Sequence, residues 1–344
     1  MEGEVKARTG VIDVRIATRL RARTIQVACA ANRDWLPHCA TMLQSLMAHQ
    51  RRPVHVHYLP AQDVTPSLLE RLSRMVVRTG AELSVHRVPS KRLSGLEAYA
   101  PPAVWHRIFL PELLPELDRV LYLDADLIVT DSLQPLWRID LSDHYVGAVT
   151  TVFPSPEWGD RHCAALGLGR RELYFNSGVL LMNLRQLRRD DCVHKVQEHA
   201  SAHADHWWSW EVPDGGLHTA REYVRAHPGR AHFADQDAVN CVLARRRLSL
   251  HPRWNCMNQI IRPPWSTWSK EIFGEEAVAE ARRNPAIRHF EGSAEEKPWH
   301  PQADPEARSL YWRHRNQTPW SENGGSLAVG SGAHSAIPDG ELGR

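Results

Sequence analysis

Two carboxylates one residue apart, Asp124 and Asp126, interrupt the apolar run Arg119-Val-Leu-Tyr-Leu-Asp-Ala-Asp-Leu-Ile-Val129. On an extended strand, side chains at i and i+2 point to one side, so both would project together where a buried strand runs out. Paired anions at such a place repel each other and destabilise the strand end unless a cation or hydrogen-bond donors compensate. A divalent metal held for a phosphate-bearing ligand is one compensation. An acidic strand end that simply meets solvent is the other reading. Three further stretches carry residue types that could bind a ligand or do chemistry. Asn176-Ser-Gly178 pairs an amide, which donates and accepts, with a glycine that lets backbone approach closely, although a plain turn before a buried strand also accounts for the glycine. In Ala234-Asp-Gln-Asp-Ala-Val-Asn240 the side chains of Asp235, Gln236 and Asp237 fall at a helix N-terminus, where acidic capping alone explains at least one of them. Trp207, Trp208 and Trp210, followed by Gly215 and Gly216, offer flat faces for a sugar or lipid, or for packing and dimer contact.

The elements that must position these residues follow from periodicity. Thr24–Ala31 reads as a short strand, ending at the polar turn Asn32-Arg-Asp-Trp-Leu-Pro37, and a helix follows with Leu43, Leu46 and Met47 at helical spacing. Strand Val54–Leu59, helix Pro66–Thr79 and strand Leu83–Val88 continue the alternation. Trp105–Leu114 reads as an amphipathic helix, Val146–Val152 as a strand, Val179–Leu184 as a buried strand, Leu187–Ala204 and Ala220–Ala226 as helices, and Ile287–Gly292 as a last strand. This order predicts one α/β domain with a mostly parallel sheet, right-handed crossovers and helices on both faces. Ligands on such sheets gather at the carboxyl ends of the strands, which is where the first turn and the Asp-Ala-Asp pair would lie.

Composition narrows the class. A chain of 344 residues that is 42% apolar supports a large core, and a net charge of +2 with interspersed signs argues against nucleic acid. Six cysteines without C-x-x-C spacing indicate neither a zinc site nor a disulfide framework, but free buried thiols in a reducing compartment. Without a span-length apolar run or an evident signal segment, the expectation is a soluble cytoplasmic protein with at most peripheral membrane contact. Arg15, Arg19, Arg21 and Arg23 form a basic cluster in residues 1–23, read as a flexible arm that is solvated or touches anionic lipid. Residues 317–344 turn to Gly, Ser, Ala and Pro and read as a disordered tail, leaving a domain over 24–316.

Read together and in order, the Asp-Ala-Asp run, Phe175-Asn-Ser-Gly-Val-Leu-Leu-Met-Asn-Leu184, Ala234–Asn240, and His289-Phe-Glu-Gly292 with Lys297-Pro-Trp299 resemble a retaining glycosyltransferase of family 8, the glycogenin and bacterial galactosyltransferase group, over roughly residues 24 to 315. The resemblance implies a Rossmann-like GT-A fold and a uridine diphosphate sugar as donor. It implies that Asp124, Asp126 and His289 hold Mn²⁺, with Mg²⁺ as the alternative, and that Lys297 and Arg107 meet the diphosphate. It places Ala30, Asn32 and Asp34 on the uridine side and lines the donor site with Ala125 and Gly292. Asn176 and Asp235 are set against the donor sugar, and Gln236 beside the anomeric carbon. Two departures stand out. Asn32 occupies a position that is often acidic, and Ser293–Glu296 is about two residues longer than the usual spacing before Lys-Pro-Trp, which leaves the placement of Lys297 open. Gln236, a neutral amide, is a poor nucleophile, which favours front-face attack over a covalent intermediate. The acceptor, a hydroxyl on a glycan, glycolipid, protein or small molecule, is not specified. Two rival readings are a sugar-phosphate nucleotidyltransferase, for which Asn32-Arg-Asp-Trp35 is a poor phosphate loop, and a catalytically silent sugar-nucleotide binder or scaffold.

Overall fold

A computed structural model of the chain describes residues 24–96, 102–153, 155–202, 234–262, 265–292 and 294–321. Its centre is β1, Ile25–Ala31, whose seven residues are all buried because the strand has neighbours on both edges and packed layers on both faces. Parallel partners flank it: β2 (Val54–Pro60) pairs Val54 with Ile25, and β4 (Arg119–Leu123) pairs Leu121 with Val27. Beyond β2 lies β3 (Glu82–Val85), and beyond β4 come β7 (Val179–Asn183), β6 (Val146–Ala148) and β8 (Arg247–Ser249), giving the order β3-β2-β1-β4-β7-β6-β8. Only β7 runs against the rest, antiparallel to both β4 and β6, so the sheet is mostly parallel as the alternating pattern predicts. A second, two-stranded sheet pairs β5 (Leu127–Val129) with β9 (Ile287–His289), antiparallel.

Alternation along the strands sorts side chains into two apolar layers. Val27, Cys29, Leu121 and Leu123 face α1 (Leu36–His49) and α2 (Pro66–Arg78), whereas Ala28, Ala30, Val120 and Tyr122 face the other side. That second side is covered by α3 (Pro156–Ala165), α4 (Cys192–Ala202) and α5 (Ala234–Leu243). Next come α6 (Trp265–Phe273), α7 (Glu275–Arg283) and α8 (Pro305–Arg315). Thr65, Ser155 and Asp304 cap α2, α3 and α8, each accepting from a first-turn N–H.

Several expected elements change shape. The helix expected over Trp105–Leu114 is three short pieces, Pro102–Trp105, a 3-10 turn at His106–Phe109 and Leu110–Leu113. Pro111 cannot donate to continue one helix, and the tighter turn buries both His106 and Arg107. The third strand spans Glu82–Val85 rather than 83–88, its pairing with β2 ending at Tyr58 and Val85. The helix expected from Leu187 starts earlier and breaks in two, Leu184–Arg189 and α4, where Asp191 adopts a left-handed φ of 50°. The helix expected at Ala220–Ala226 lies outside the described residues. The packed fold also runs past the boundary expected at 316, since Thr318 and Trp320 are buried. All six cysteines are free thiols, and no helix among the described residues is long and apolar enough to cross a membrane.

Candidate active site

Asp124 and Asp126 do not share one strand, as the i, i+2 argument supposes. β4 ends at Leu123, the chain turns through Asp124-Ala-Asp126, and β5 begins at Leu127. The carboxylates converge because two different pairings meet at this turn. Antiparallel β7 sets Val179 opposite Leu123, so Asp124 donates its N–H to Gly178 O at 2.9 Å. Antiparallel β9 sets His289 opposite Leu127, and Phe290 donates its N–H to Asp126 O at 3.0 Å. The result is a cluster in which one ligand atom each from Asp124, Asp126 and His289 lie within 4.8 Å of one another.

His289 is held from behind. Its Nδ1 lies 2.9 Å from Asn255 Oδ1, and Asn255 donates through Nδ2 to Asn176 Oδ1 at 2.8 Å. Because the amide oxygen only accepts, Nδ1 carries hydrogen and Nε2 is turned to Asp126 Oδ1 at 3.4 Å. Asn255 therefore fixes the imidazole and the Asn176 amide with one side chain. Nothing in the segment Leu250–Asn258 marks Asn255 beforehand; only its pairing with two distant residues does. Burial, the largest single influence, lowers the His289 pKa, but Asp126, Glu291 and Asp124 together outweigh it and the net direction is up. Burial likewise opposes ionisation of Asp126, yet Lys297 and His289 hold its carboxyl well below the usual range.

Lys297 reaches the cluster despite the longer connection. The extra residues form a short 3-10 turn, Ala294–Glu296, in which Glu296 pairs with Arg262 at 3.3 Å. Lys297 Nζ then lies 2.7 Å from Asp126 Oδ2 and donates to Phe290 O at 2.8 Å. Gly292 serves this turn by its backbone: φ is +105°, and an added Cβ would fall on the Glu296 carboxylate.

On the other flank, Arg107 is buried and spans two carboxylates. Nη2 lies 3.1 Å from Asp124 Oδ1, Nε 3.5 Å from Asp235 Oδ2, and Nη1 donates to Ser177 O at 2.6 Å. Its guanidinium stands 4.6 Å over the Tyr122 ring, whose hydroxyl donates to Asp124 Oδ1 at 2.9 Å. Burial works against the Arg107 charge, but Asp124, Tyr122 and Asp235 outweigh it and its pKa goes up. Asp235 is pushed up to about 6, chiefly by burial, with Arg107 opposing and Asp124 adding. Gln236 follows it on α5, with Oε1 accepting from the Ser177 N–H at 2.9 Å. Asn240, one turn on, accepts from the Phe175 N–H at 2.8 Å and donates to Phe175 O at 2.9 Å, clamping the Phe175–Gly178 stretch to the helix.

The uridine-side residues are arranged as follows. Ala30 and Ala125 are buried. Asn32 Oδ1 accepts from the Trp35 N–H at 2.9 Å, closing the turn that precedes α1, and Asp34 is exposed on the same turn. Trp35 meets Trp299 edge-on at 5.5 Å and lies 5.7 Å from Lys297 Nζ, which joins this turn to the carboxylate cluster. Trp207, Trp208 and Trp210 lie outside the described residues.

Residues 26–303 match the sequence profile of Glycosyl transferase family 8. The chain belongs to that family. Among relatives, General stress protein A of Bacillus subtilis (strain 168) is 25% identical over 307 residues, covering 87% of this chain and 95% of its own length. Probable galacturonosyltransferase-like 6 of Arabidopsis thaliana is 27% identical over 190 residues, and the match spans 51% of this chain and about half, 54%, of that relative. Among solved structures, the galactosyltransferase LgtC in complex with donor and acceptor sugar analogues superposes with a TM-score of 0.67 at 22% identity, over 87% of this chain and 99% of that one. The family 8 fold is thus a single α/β domain with the mostly parallel seven-stranded sheet described above.

Proposed function

We propose that this family 8 glycosyltransferase transfers a hexose, glucose or galactose, from a uridine diphosphate sugar to a hydroxyl acceptor with retention at the anomeric carbon, in the cytoplasm and with Mn²⁺. The observation that carries this reading is the convergence of Asp124, Asp126 and His289 between two fixed cations, Lys297 and Arg107. The residues fit a divalent ion. Two carboxylates and an imidazole suit Mn²⁺ better than Mg²⁺. Gly178 leaves the space beside them, since a Cβ there would stand 2.6 Å from His289 Cε1 and 2.8 Å from Asp124 Oδ2. When bound, the ion would offset the negative charge that grows on the leaving diphosphate.

The chain's own groups account for the rest. Lys297 and Arg107, fixed by hydrogen bonds before the donor arrives, present positive charge without reorganisation. Asn176, its oxygen committed to Asn255 and to the Gly178 N–H, turns its amide hydrogens to the donor sugar. Asp235 and Gln236 Oε1 put oxygen next to the oxocarbenium-like centre, where it helps most at the transition state. The leaving phosphate oxygen takes the acceptor proton, giving front-face attack. Trapping of a glycosyl-enzyme on Asp235 in mass spectrometry would refute that last step.

Calorimetric titration with UDP, UDP-glucose and UDP-galactose, with Mn²⁺ and then with chelator, tests the donor site. Binding that requires the metal and is lost in the Asp124→Ala, Asp126→Ala double variant is expected. Absence of binding by any uridine nucleotide overturns the donor assignment, and binding without turnover on any acceptor, water included, favours a silent binder.

A further inference from the structure

Behind Gln236 runs a buried chain of polar side chains that the proposed reaction does not touch. Asp237 Oδ1 receives two contacts, from His162 Nε2 at 2.9 Å and from the Tyr174 hydroxyl at 2.5 Å. Gln236 Nε2 donates to the same Tyr174 oxygen at 3.1 Å. His162 and Tyr174 come from α3 and from the segment before Asn176, and both are fully buried.

We infer that Tyr174, held by Asp237 and His162, is a positioning residue that decides which end of the Gln236 amide faces the donor sugar. The logic is directional. A carboxylate only accepts, so the single proton of Tyr174 is committed to Asp237. The tyrosine oxygen is then left with acceptor capacity alone, and only the nitrogen end of an amide can satisfy it. At the far end of Gln236, the Ser177 N–H at 2.9 Å and its hydroxyl at 3.3 Å call for an oxygen. Reversing the amide would set oxygen against oxygen at Tyr174 and N–H against N–H at Ser177. Two independent neighbours therefore fix an orientation that an amide alone leaves open. Burial and the neighbouring Asp237 both push the Tyr174 pKa well up, so the hydroxyl keeps its proton. His162 supplies the second donor to Asp237, and its ring stacks on Trp158 at 4.9 Å, which fixes the direction from which it points.

The consequence for chemistry rests on the reading of Gln236 given above. Its oxygen stabilises a positive anomeric centre, whereas its N–H₂ group would repel one. Tyr174 acts on the reaction only through that choice and touches no substrate.

Two measurements test this. The first needs no turnover: in wild-type protein the Gln236 side-chain amide protons, identified by their loss in Gln236→Ala, should exchange with solvent slowly, and should exchange at least tenfold faster in Tyr174→Phe. Fast exchange in wild type, or no change on substitution, overturns the inference whatever the reaction is. The second uses hydrolysis of UDP-galactose and UDP-glucose. Tyr174→Phe should lower kcat by about tenfold or more with KM for the donor within twofold, and should have no further effect in the Gln236→Ala background, because it acts through Gln236. An equal loss of kcat in both backgrounds makes the tyrosine merely structural and overturns the inference. Wild-type protein with slow amide exchange but no donor turnover supports the positioning and instead overturns the proposed function.

Discussion

Gly178 sits where no side chain fits, and the two atoms nearest a prospective Cβ belong to candidate metal ligands, His289 and Asp124. Gly178→Ala should therefore displace His289 or Asp124 and weaken Mn²⁺-dependent UDP binding by about 10- to 100-fold, as calorimetry would read. A loss under threefold would show that the cluster yields without cost. The same residues set a pH dependence. The folded-state pKa of His289 is raised, so its contribution to metal-free stability is present below the ordinary value of about 6.5 and is lost as pH rises through the folded value. Asp126 runs the other way: its folded-state pKa is depressed, so its contribution is present above about pH 4 and is lost only as acid protonates it. Metal binding must displace the His289 proton, so it strengthens over the range where metal-free stability weakens. Melting temperatures at pH 6 and pH 8 should fall with chelator and rise with Mn²⁺. Parallel slopes in the two series would remove His289 from the ligand set.

Two asparagines hold the elements in register around this cluster. Asn240 ties α5 to the entry of β7 through both polar groups of Phe175, and Asn255 ties the segment that runs beside β9 to Asn176. Asn240→Ala leaves two buried backbone groups unpaired, at about 1–3 kcal/mol each. Urea denaturation should show that loss, together with a higher KM for the donor because Asn176 and Ser177 shift with Phe175. The contrast with the strands explains what sequence could convey. β1, β2 and β4 were legible because apolar runs and alternation record burial directly, and the Asp-Ala-Asp, Asn-Ser-Gly, Asp-Gln-Asp and His289 stretches stood out by their chemistry. Asn255, Tyr174 and His162 were not legible, since an isolated polar residue gains its role from a partner far away in the chain. The Arg107 segment misled for a related reason: apolar spacing suggests a surface helix, but two carboxylates from other elements draw the arginine inward and the turn tightens around it.

At the scale of the whole molecule, the C-terminal part of the described chain closes the fold over its beginning. α8 packs on α1, His38 stacks on Trp299 at 3.6 Å, and Tyr311 OH lies 2.7 Å from His38 Nδ1. Trp320 is buried beneath Arg71, whose guanidinium stands 4.8 Å from its ring centre. A chain ended after Asn316 should therefore be less stable than one ended after Ser321 by about 3–5 kcal/mol, the loss expected for removing a buried tryptophan. Equal unfolding midpoints for the two truncations would show that Trp320 contributes nothing. The join between Asp126 and Lys297 also has a consequence in time. Their ion pair bridges 171 residues, which a ribosome adding about 5–20 residues per second takes on the order of 10–30 s to supply. Throughout that interval Asp124 has Arg107 beside it, but Asp126 has neither Lys297 nor His289 to balance it. The Asp124–Asp126–His289 cluster therefore assembles only once residues 289–297 have been made, and a truncated translation product lacking β9 would hold the seven-stranded sheet but not the cluster.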